Sequence, residues 1–220
     1  MTRQLRIDYV SDVACPWCAI GLHSLEEALR RTAGVIDAQL HFQPFELNPD
    51  MRAGGENIDA LLGTRYGGGA ERMAAMRDDV RARAAEVGFA FNQSASSRVY
   101  NTFDAHRLLH WAEAQGRQRE LKHALFKANF TDDADVSDHA VLAAVAASVG
   151  LDAVAAREVL SSGHYADDVR AAEQLWLSRG IHGVPGIIID EKWLISGGQP
   201  PEAFEQALRE AAAEEDEGEA

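Results

Sequence analysis

The hydrophobic pattern divides the chain into a strand–helix–strand beginning, a long helical middle and a strand–strand–helix end. Apolar and polar residues alternate over 5–10, which predicts a strand, and apolar residues then recur at helical spacing to about residue 31. The stretch 35–47 is extended and predicts a second strand. From about residue 58 to 160 the pattern is helical and alanine-rich, and it predicts helices over 59–65, 70–87, 101–115, 119–130, 138–149 and 152–161.

The last quarter of the chain returns to strands. A helix over 165–179 precedes the stretch 183–190, which ends in a β-branched run and is predicted to be a buried strand, and 192–196 is predicted to be its antiparallel hairpin partner. A final helix is predicted over 201–213. Because both ends supply strands, we expect them to build one small sheet. The predicted division is therefore 1–50 and 164–213 for the sheet-bearing unit, 51–163 for an all-helical insertion and 214–220 for an acidic tail.

Composition excludes some classes of binding partner and indicates a cellular compartment. The chain has 220 residues and a formal net charge of −14, which argues against nucleic acid and anionic membranes as partners. The acidic tail adds to this charge and is predicted to be a disordered, solvated end. The first residues lack the apolar stretch of a secretory signal, and no apolar run approaches the roughly 20 residues that span a bilayer. We therefore expect a reducing cytoplasm.

The chemistry of the chain is concentrated in its two cysteines, Cys15 and Cys18, which are separated by Pro16 and Trp17. Proline fits the first position of a helix, so Cys15 is predicted to lie at the N-cap, where free N–H groups and the helix dipole favour a thiolate. A thiolate is the nucleophile in thiol chemistry, so Cys15 is the expected attacking sulfur. Cys18, one turn further into the helix, is expected to be more buried and to resolve the intermediate.

Two other interpretations of the cysteine pair remain open at this point. A Cys-x-x-Cys can be half of a structural zinc site, but no other cysteine exists to complete it. His106 and His110 lie four residues apart, inside a predicted helix that is far along the chain from the cysteines. No metal site is predicted. The pair could also be two buried, inert thiols.

Four ordered motifs resemble the DsbA family, and within it the FrnE-like branch. They are DVACPWCAIG at 12–21, NTFDAHRL at 101–108, GVP at 183–185 and ISGGQP at 195–200. The likeness covers nearly the whole chain apart from the acidic tail. It implies an α/β thioredoxin fold with a large helical insertion. The 2-hydroxychromene-2-carboxylate isomerases and the kappa-class glutathione transferases share this insertion fold.

The resemblance also implies roles for residues at the site. Cys15 corresponds to the attacking thiolate and Cys18 to the resolving thiol. Pro185 corresponds to a cis-proline beside them, which lets Val184 offer its backbone N–H and C=O to an extended substrate. A trans proline that opens a strand is the commoner structure elsewhere. Pro16 and Trp17 are expected to border the substrate, with Trp17 as an exposed aromatic next to the disulfide.

The second motif implies three further candidates. Asn101, His106 and Arg107 are expected to line the active site if their helix faces it. A histidine in an apolar helix is more often a packing residue than a catalyst, and Arg107 could form an ordinary ion pair on the helix surface.

The sequence therefore predicts a thiol–disulfide oxidoreductase that acts on protein or small-molecule disulfides. It needs no metal or organic cofactor, although glutathione could be a co-substrate, and its electron donor or acceptor is not readable from the sequence. Two other functions stay open. One is a glutathione-dependent isomerase or transferase, although a serine usually replaces the attacking cysteine in those relatives. The other is a redox-responsive binding protein or chaperone, whose partner binding would survive Cys15→Ser.

Overall fold

A computed structural model describes residues 2–214, which form six strands, nine α-helices and one π-helical turn. The strands are β1 Arg3–Ser11, β2 Ile36–Pro44, β3 Glu56–Asn57, β4 Arg98–Val99, β5 Gly186–Ile189 and β6 Trp193–Ser196. The helices are α1 Pro16–Arg31, α2 Ile58–Tyr66, α3 Ala70–Glu86, α4 Phe103–Ala114, α5 Gln118–Phe126, α6 His139–Ser148, α7 Ala153–Ser162, α8 Ala166–Ser178 and α9 Pro201–Glu214. The π-helical turn Lys127–Thr131 continues α5.

The two ends of the chain build one mixed sheet, with the strand order β2-β1-β5-β6. β1 and β2 run parallel, and α1 forms the crossover between them. β5 is antiparallel to both β1 and β6. This is the α/β fold with a helical insertion that the sequence predicts.

Side chains alternate across β1 and divide the core into two layers. Leu5, Ile7 and Tyr9 pack in one cluster with residues of α1 and α9, including Leu25 and Phe204. On the opposite face, Val10 packs with Trp176 of α8 and Ile188 of β5. Residues of α4 to α7 and their connecting loops form a third cluster, which also includes Val13 of the loop after β1. The alternation follows from the period of two along a strand.

The insertion is anchored to the sheet at its edge strand, β2. The side-chain amide of Gln118, the first residue of α5, accepts a hydrogen bond from the Phe42 N–H at 3.0 Å and donates one to the Phe42 carbonyl at 3.2 Å. The amide group thus occupies the place of a neighbouring strand and satisfies backbone groups that an edge would leave unpaired.

Three predictions of local structure need correction. The insertion is not all-helical, because β3 pairs with β4 in a two-stranded ribbon whose strands are too short to show an alternating pattern. The helix predicted over 119–130 changes to a π-helical turn after Phe126. Glu214, assigned to the acidic tail, ends α9, and 215–220 lie outside the described residues.

Gly21 is required because α1 lies very close to the loop after β6. A Cβ atom at Gly21 would lie 2.9 Å from the Tyr9 hydroxyl and 3.1 Å from Cα of Gly198. The Cys-x-x-Cys helix and the ISGGQP segment therefore pack backbone against backbone, which explains the glycines at positions 21 and 198.

We expect Gly21→Ala to lower the free energy of unfolding by about 1–3 kcal/mol, because the added methyl group overpacks the contact with the Tyr9 hydroxyl and the Gly198 backbone. Gly63→Ala is the matched control, since Gly63 also lies inside a helix and its new Cβ would have only the Gly68 carbonyl oxygen nearby, at 3.8 Å. The control should be neutral or gain up to about 1 kcal/mol of helix propensity. Urea unfolding measures both variants, and equal stabilities would refute the close approach.

Candidate active site

Cys15 occupies the N-cap of α1, and Pro16 is the first helical residue. The backbone of Cys15 is extended, with φ −99° and ψ 112°. Its carbonyl accepts the Cys18 N–H at 3.1 Å and the Ala19 N–H at 3.4 Å, which starts the helix. Both cysteines are free thiols, with relative exposures of 4% for Cys15 and 0% for Cys18. The placement of the pair is the one expected from Pro16, and it puts Cys15 at the positive end of the α1 dipole.

The loop before Cys15 is held by buried polar contacts. The Asp12 backbone carbonyl accepts the Cys15 N–H at 3.2 Å. The Asp12 carboxylate accepts the Leu47 N–H at 2.7 Å and the Ala14 N–H at 3.1 Å. From the π-helical turn, the Asn129 side chain donates to the Val13 carbonyl at 3.0 Å. Cys15 therefore follows a loop that is tied both to the segment after β2 and to the insertion.

A buried histidine lies behind this loop. His106 Nε2 is 3.1 Å from the Phe45 carbonyl oxygen and 3.6 Å from Asp12 Oδ1. Burial alone would raise the pKa of Asp12, but the His106 imidazole and the amides of Leu47 and Ala14 outweigh it and leave that pKa lowered. Asp12 is thus held as a carboxylate that fixes the loop.

Cys18 is held as a protonated thiol. Burial, followed by its hydrogen bond with Cys15 and the charge on Cys15, raises the pKa of the Cys18 thiol well above its ordinary value. The Tyr9 hydroxyl donates to the Cys18 carbonyl at 2.7 Å and fixes this turn of α1 from the sheet side.

The peptide bond between Val184 and Pro185 is cis, as the resemblance implied. The Val184 carbonyl oxygen lies 3.8 Å from Cys15 Sγ. On the other side of the proline, the Pro185 carbonyl accepts the Gly197 N–H at 2.8 Å. The GVP and ISGGQP segments, separate in sequence, therefore meet next to the Cys-x-x-Cys helix.

A cavity of about 410 Å³ opens directly in front of Cys15. Cys15, Pro16, Trp17 and Val184 form one wall, and Trp17 is 37% exposed, as predicted. The other walls come from the insertion and are mostly apolar. They include Ile58, Leu61, Leu62, Met76, Val80, Phe91 and Phe130. The sequence does not indicate this cavity, because α2 and α3 are distant from Cys15 along the chain.

Three arginines add positive charge to the cavity lining of an otherwise acidic protein. Arg65 donates to the Asn48 side chain at 2.8 Å, Arg98 to the carbonyls of Gly54 and Gly55 at 2.8 Å each, and Arg77 to Asp59. The uncharged partners of Arg65 and Arg98 do not neutralise their positive charge.

The structure places Asn101, His106 and Arg107 outside this cavity, which corrects the prediction that they line the site. Asn101 donates to Glu46 and accepts the Phe103 N–H near the start of α4. Arg107 is buried and donates to backbone carbonyls at and just beyond the end of α7, and to Asp104. The motif containing these residues is accordingly one that holds the fold together. His106 alone reaches the site, indirectly, through Asp12.

In the part of the chain from 2 to 214, no group of three or more His, Cys, Asp or Glu side chains is arranged to hold a metal ion. His110, which shares a helix with His106, packs its ring against Tyr165 with centroids 5.1 Å apart. Residues 2–214 also contain no helix with the length and apolarity needed to cross a bilayer.

Comparison with known proteins gives one family and several relatives. The model of the DSBA-like thioredoxin domain matches residues 6–209. A crystal structure of a probable DsbA oxidoreductase from Streptomyces coelicolor superposes with a TM-score of 0.87 at 36% identity, covering 94% of this chain and 89% of the other.

Two further relatives extend the comparison. An uncharacterised protein of Bacillus subtilis (strain 168), YwbO, is 25% identical over 205 residues, which is 93% of this chain and 96% of the other. A 2-hydroxychromene-2-carboxylate isomerase superposes with a TM-score of 0.70 at 14% identity, covering 96% of this chain and 98% of the other. At that identity, the likeness concerns the fold alone.

Proposed function

The chain belongs to the DSBA-like thioredoxin domain family, and on this premise we propose that it is a thiol–disulfide oxidoreductase working through Cys15 and Cys18. The observation that carries the proposal is the position of Cys15. It caps the N-terminus of α1 and lines a cavity, while Cys18 lies one turn behind it and is fully buried. A nucleophilic thiol next to a space for substrate, with a second thiol behind it, is the arrangement that disulfide exchange requires.

The reaction has two exchange steps. The Cys15 thiolate attacks one sulfur of a substrate disulfide, forms a mixed disulfide and releases the other sulfur as a thiolate, which takes a proton from solvent. Cys18 then loses its proton and attacks Cys15 Sγ, so that the Cys15–Cys18 bond forms and the second substrate sulfur leaves. The substrate gains two electrons and two protons, and the protein is left oxidised.

The wall of the cavity supports a peptide disulfide as the substrate. The Val184 carbonyl next to Cys15 Sγ offers a backbone acceptor to an extended chain. The apolar side chains opposite, from α2, α3 and the π-helical turn, suit an apolar residue near the substrate cystine, and Arg65 and Arg98 suit an anionic group. A peptide or protein disulfide fits the backbone acceptor, and an apolar residue next to its cystine fits the apolar wall.

Regeneration of the dithiol requires an external reductant. We propose glutathione for this step in a reducing cytoplasm, with two molecules giving up two electrons and leaving as glutathione disulfide. The arginines of the cavity lining would bind its carboxylates. Glutathione is then a co-substrate, and the protein carries no resident cofactor for the reaction.

Insulin reduction tests the proposal. The reduced protein should accelerate the precipitation of insulin chains by dithiothreitol, and the same protein with both thiols blocked by iodoacetamide should not. No acceleration by the unmodified protein would contradict a protein-disulfide oxidoreductase. Turnover of glutathione conjugation or of an isomerisation by a protein inactive on insulin would favour the glutathione-dependent alternative.

We expect Leu62→Glu to raise the KM for a peptide disulfide about 10-fold, because it replaces an apolar wall of the cavity with a charge and costs about 1.4 kcal/mol of binding. Leu62→Met keeps the wall apolar and should stay close to wild type. Steady-state rates at several peptide concentrations separate KM from kcat. An unchanged KM in Leu62→Glu would show that substrate does not occupy the cavity.

A further inference from the structure

Lys122 is a buried cation for which the described structure offers no hydrogen-bond acceptor. It lies in α5, its side chain is 0% exposed, and its Nζ atom has no hydrogen-bond partner. The described contact is with the Phe126 ring, whose centroid is 4.9 Å from Nζ. A lysine removed from water without a partner is costly and is rarely found without a reason.

The helix face that carries Lys122 points at the cysteine pair. Phe126 and Phe130, four and eight residues further on, pack in the same core cluster as Cys15 and Cys18. Between them, Asn129 donates to the Val13 carbonyl in the loop before Cys15, at 3.0 Å. The helix is therefore tied directly to the loop before Cys15, and its lysine is fully buried and is not among the residues that line the cavity.

The charged and titratable groups around Lys122 come from β1, the loop after it and α1. Cys18, Asp12 and Cys15 interact with its charge, and Tyr9 interacts with both cysteines from the sheet. Burial lowers the pKa of Lys122 to about 8, so it is mostly protonated at pH 7. The charge of Lys122 in turn opposes the burial that raises the pKa of Cys18.

We propose that Lys122 is a positioning residue for the resolving step, whose ammonium group stabilises the Cys18 thiolate as it attacks the mixed disulfide. The inference rests on the oxidoreductase proposal. Cys18 must become an anion inside the core, where charge attraction is stronger than in water because the dielectric is low. Lys122 supplies the opposite charge from within the protein.

Lys122 takes no part in the bond changes or proton transfers of the resolving step. The Cys18 proton passes to solvent, the Cys15–Cys18 bond forms, and the bond from Cys15 to the substrate sulfur breaks. The leaving sulfur carries the electron pair away and is protonated by solvent. Lys122 keeps its proton throughout and acts through charge alone.

The aryl disulfide dithiobis(nitrobenzoate) tests this inference because it reports the two thiols separately. Attack by Cys15 releases a first coloured thiolate, and attack by Cys18 on the resulting mixed disulfide releases a second. In Lys122→Met we expect the second release to be about 10-fold slower at pH 7, because the Cys18 thiolate loses the positive charge that stabilises it, and the first to change less than about 3-fold. Replacing a buried unpaired charge with an apolar side chain should not unfold the protein.

The matched control is Lys127→Met. Lys127 lies five residues further along the same helical segment, is exposed, and pairs with Asp132 at 2.7 Å, so its loss should leave both releases as in wild type. The pH profile adds a signature that a packing defect lacks. The advantage of wild type over Lys122→Met should shrink toward one as the pH rises through about 8, where Lys122 loses its charge.

The outcomes separate the two proposals. Two releases that slow together, or a second release unchanged at every pH, would overturn the role of Lys122. If mass spectrometry finds no Cys15–Cys18 disulfide in wild type after the reaction, the oxidoreductase proposal fails whatever Lys122→Met does. A slower second release with an intact first release and a normal wild-type disulfide supports both.

Discussion

Cys15→Ser is expected to reduce the rate of disulfide exchange by about 10³-fold or more, to the rate without protein. A serine hydroxyl ionises far above neutral pH, so neither the helix N-terminus nor the cavity can make it a useful nucleophile toward sulfur. Cys18 cannot replace the missing thiol, because its side chain is fully buried and its pKa is raised by burial. The initial rate of insulin reduction measures the loss.

Misfolding of the variant must be excluded as the cause of that loss of activity. Serine differs from cysteine by one atom, and Cys15 makes its described backbone contacts through its N–H and C=O, which the substitution leaves in place. The thermal midpoint of Cys15→Ser should therefore lie close to that of the reduced wild type. Residual activity above about one tenth of wild type in a folded variant would contradict Cys15 as the nucleophile. If the wild type shows no turnover and Cys15→Ser still binds the same partner, the binding-protein alternative is favoured.

Cys18→Ser should instead trap the intermediate. The Cys15 thiolate still attacks, but no thiol lies behind it, so the mixed disulfide must wait for an external thiol. Loss of an intramolecular nucleophile costs a large effective concentration, and we expect multiple turnover to fall by about 10²-fold or more. A covalent adduct of the protein with a peptide disulfide should accumulate on non-reducing gels and disappear on reduction.

The double variant, Cys15→Ser with Cys18→Ser, is the control for that adduct and should form none. An adduct formed equally by the Cys15→Ser variant would contradict the assigned roles of the two cysteines, because either thiol could then attack first. Absence of any adduct in Cys18→Ser, in the presence of a substrate that wild type reduces, would contradict the two-step reaction.

The sequence predicts the parts of this protein that depend on local rules. Pro16 marks the first helical residue and so places Cys15 at the N-cap, as the structure shows. The β-branched run before Asp190 correctly indicates β5, and its hairpin partner follows after a short turn. These features depend on residues within a few positions of each other, which a sequence pattern records directly.

The sequence fails where residues from distant segments decide the environment. The motif around Asn101, His106 and Arg107 resembles a site but holds the fold, because its polar side chains bond to α7, to the loop after α7 and to the segment after β2 instead of lining the cavity. The apolar wall formed by α2 and α3 gave no signal, since ordinary amphipathic helices have the same pattern.

The sequence does place Lys122 on the apolar face of a helix. The buried residues of α5 are Gln118, Leu121, Lys122, Leu125 and Phe126, which recur at the spacing of one helix face. A lysine on such a face usually extends its ammonium group to water along its apolar stem. Only the structure shows that this one does not, because its side chain is wholly covered.

A redox titration tests the central claim most directly. The protein would be equilibrated with mixtures of reduced and oxidised glutathione, quenched in acid and weighed intact by mass spectrometry. We expect a single reversible transition in which the wild type loses two hydrogen atoms, mapped to a bond between Cys15 and Cys18, and no such transition in Cys18→Ser. A wild type that remains a dithiol at every ratio, or that ends with glutathione on Cys15 and no internal disulfide, would contradict the proposed function.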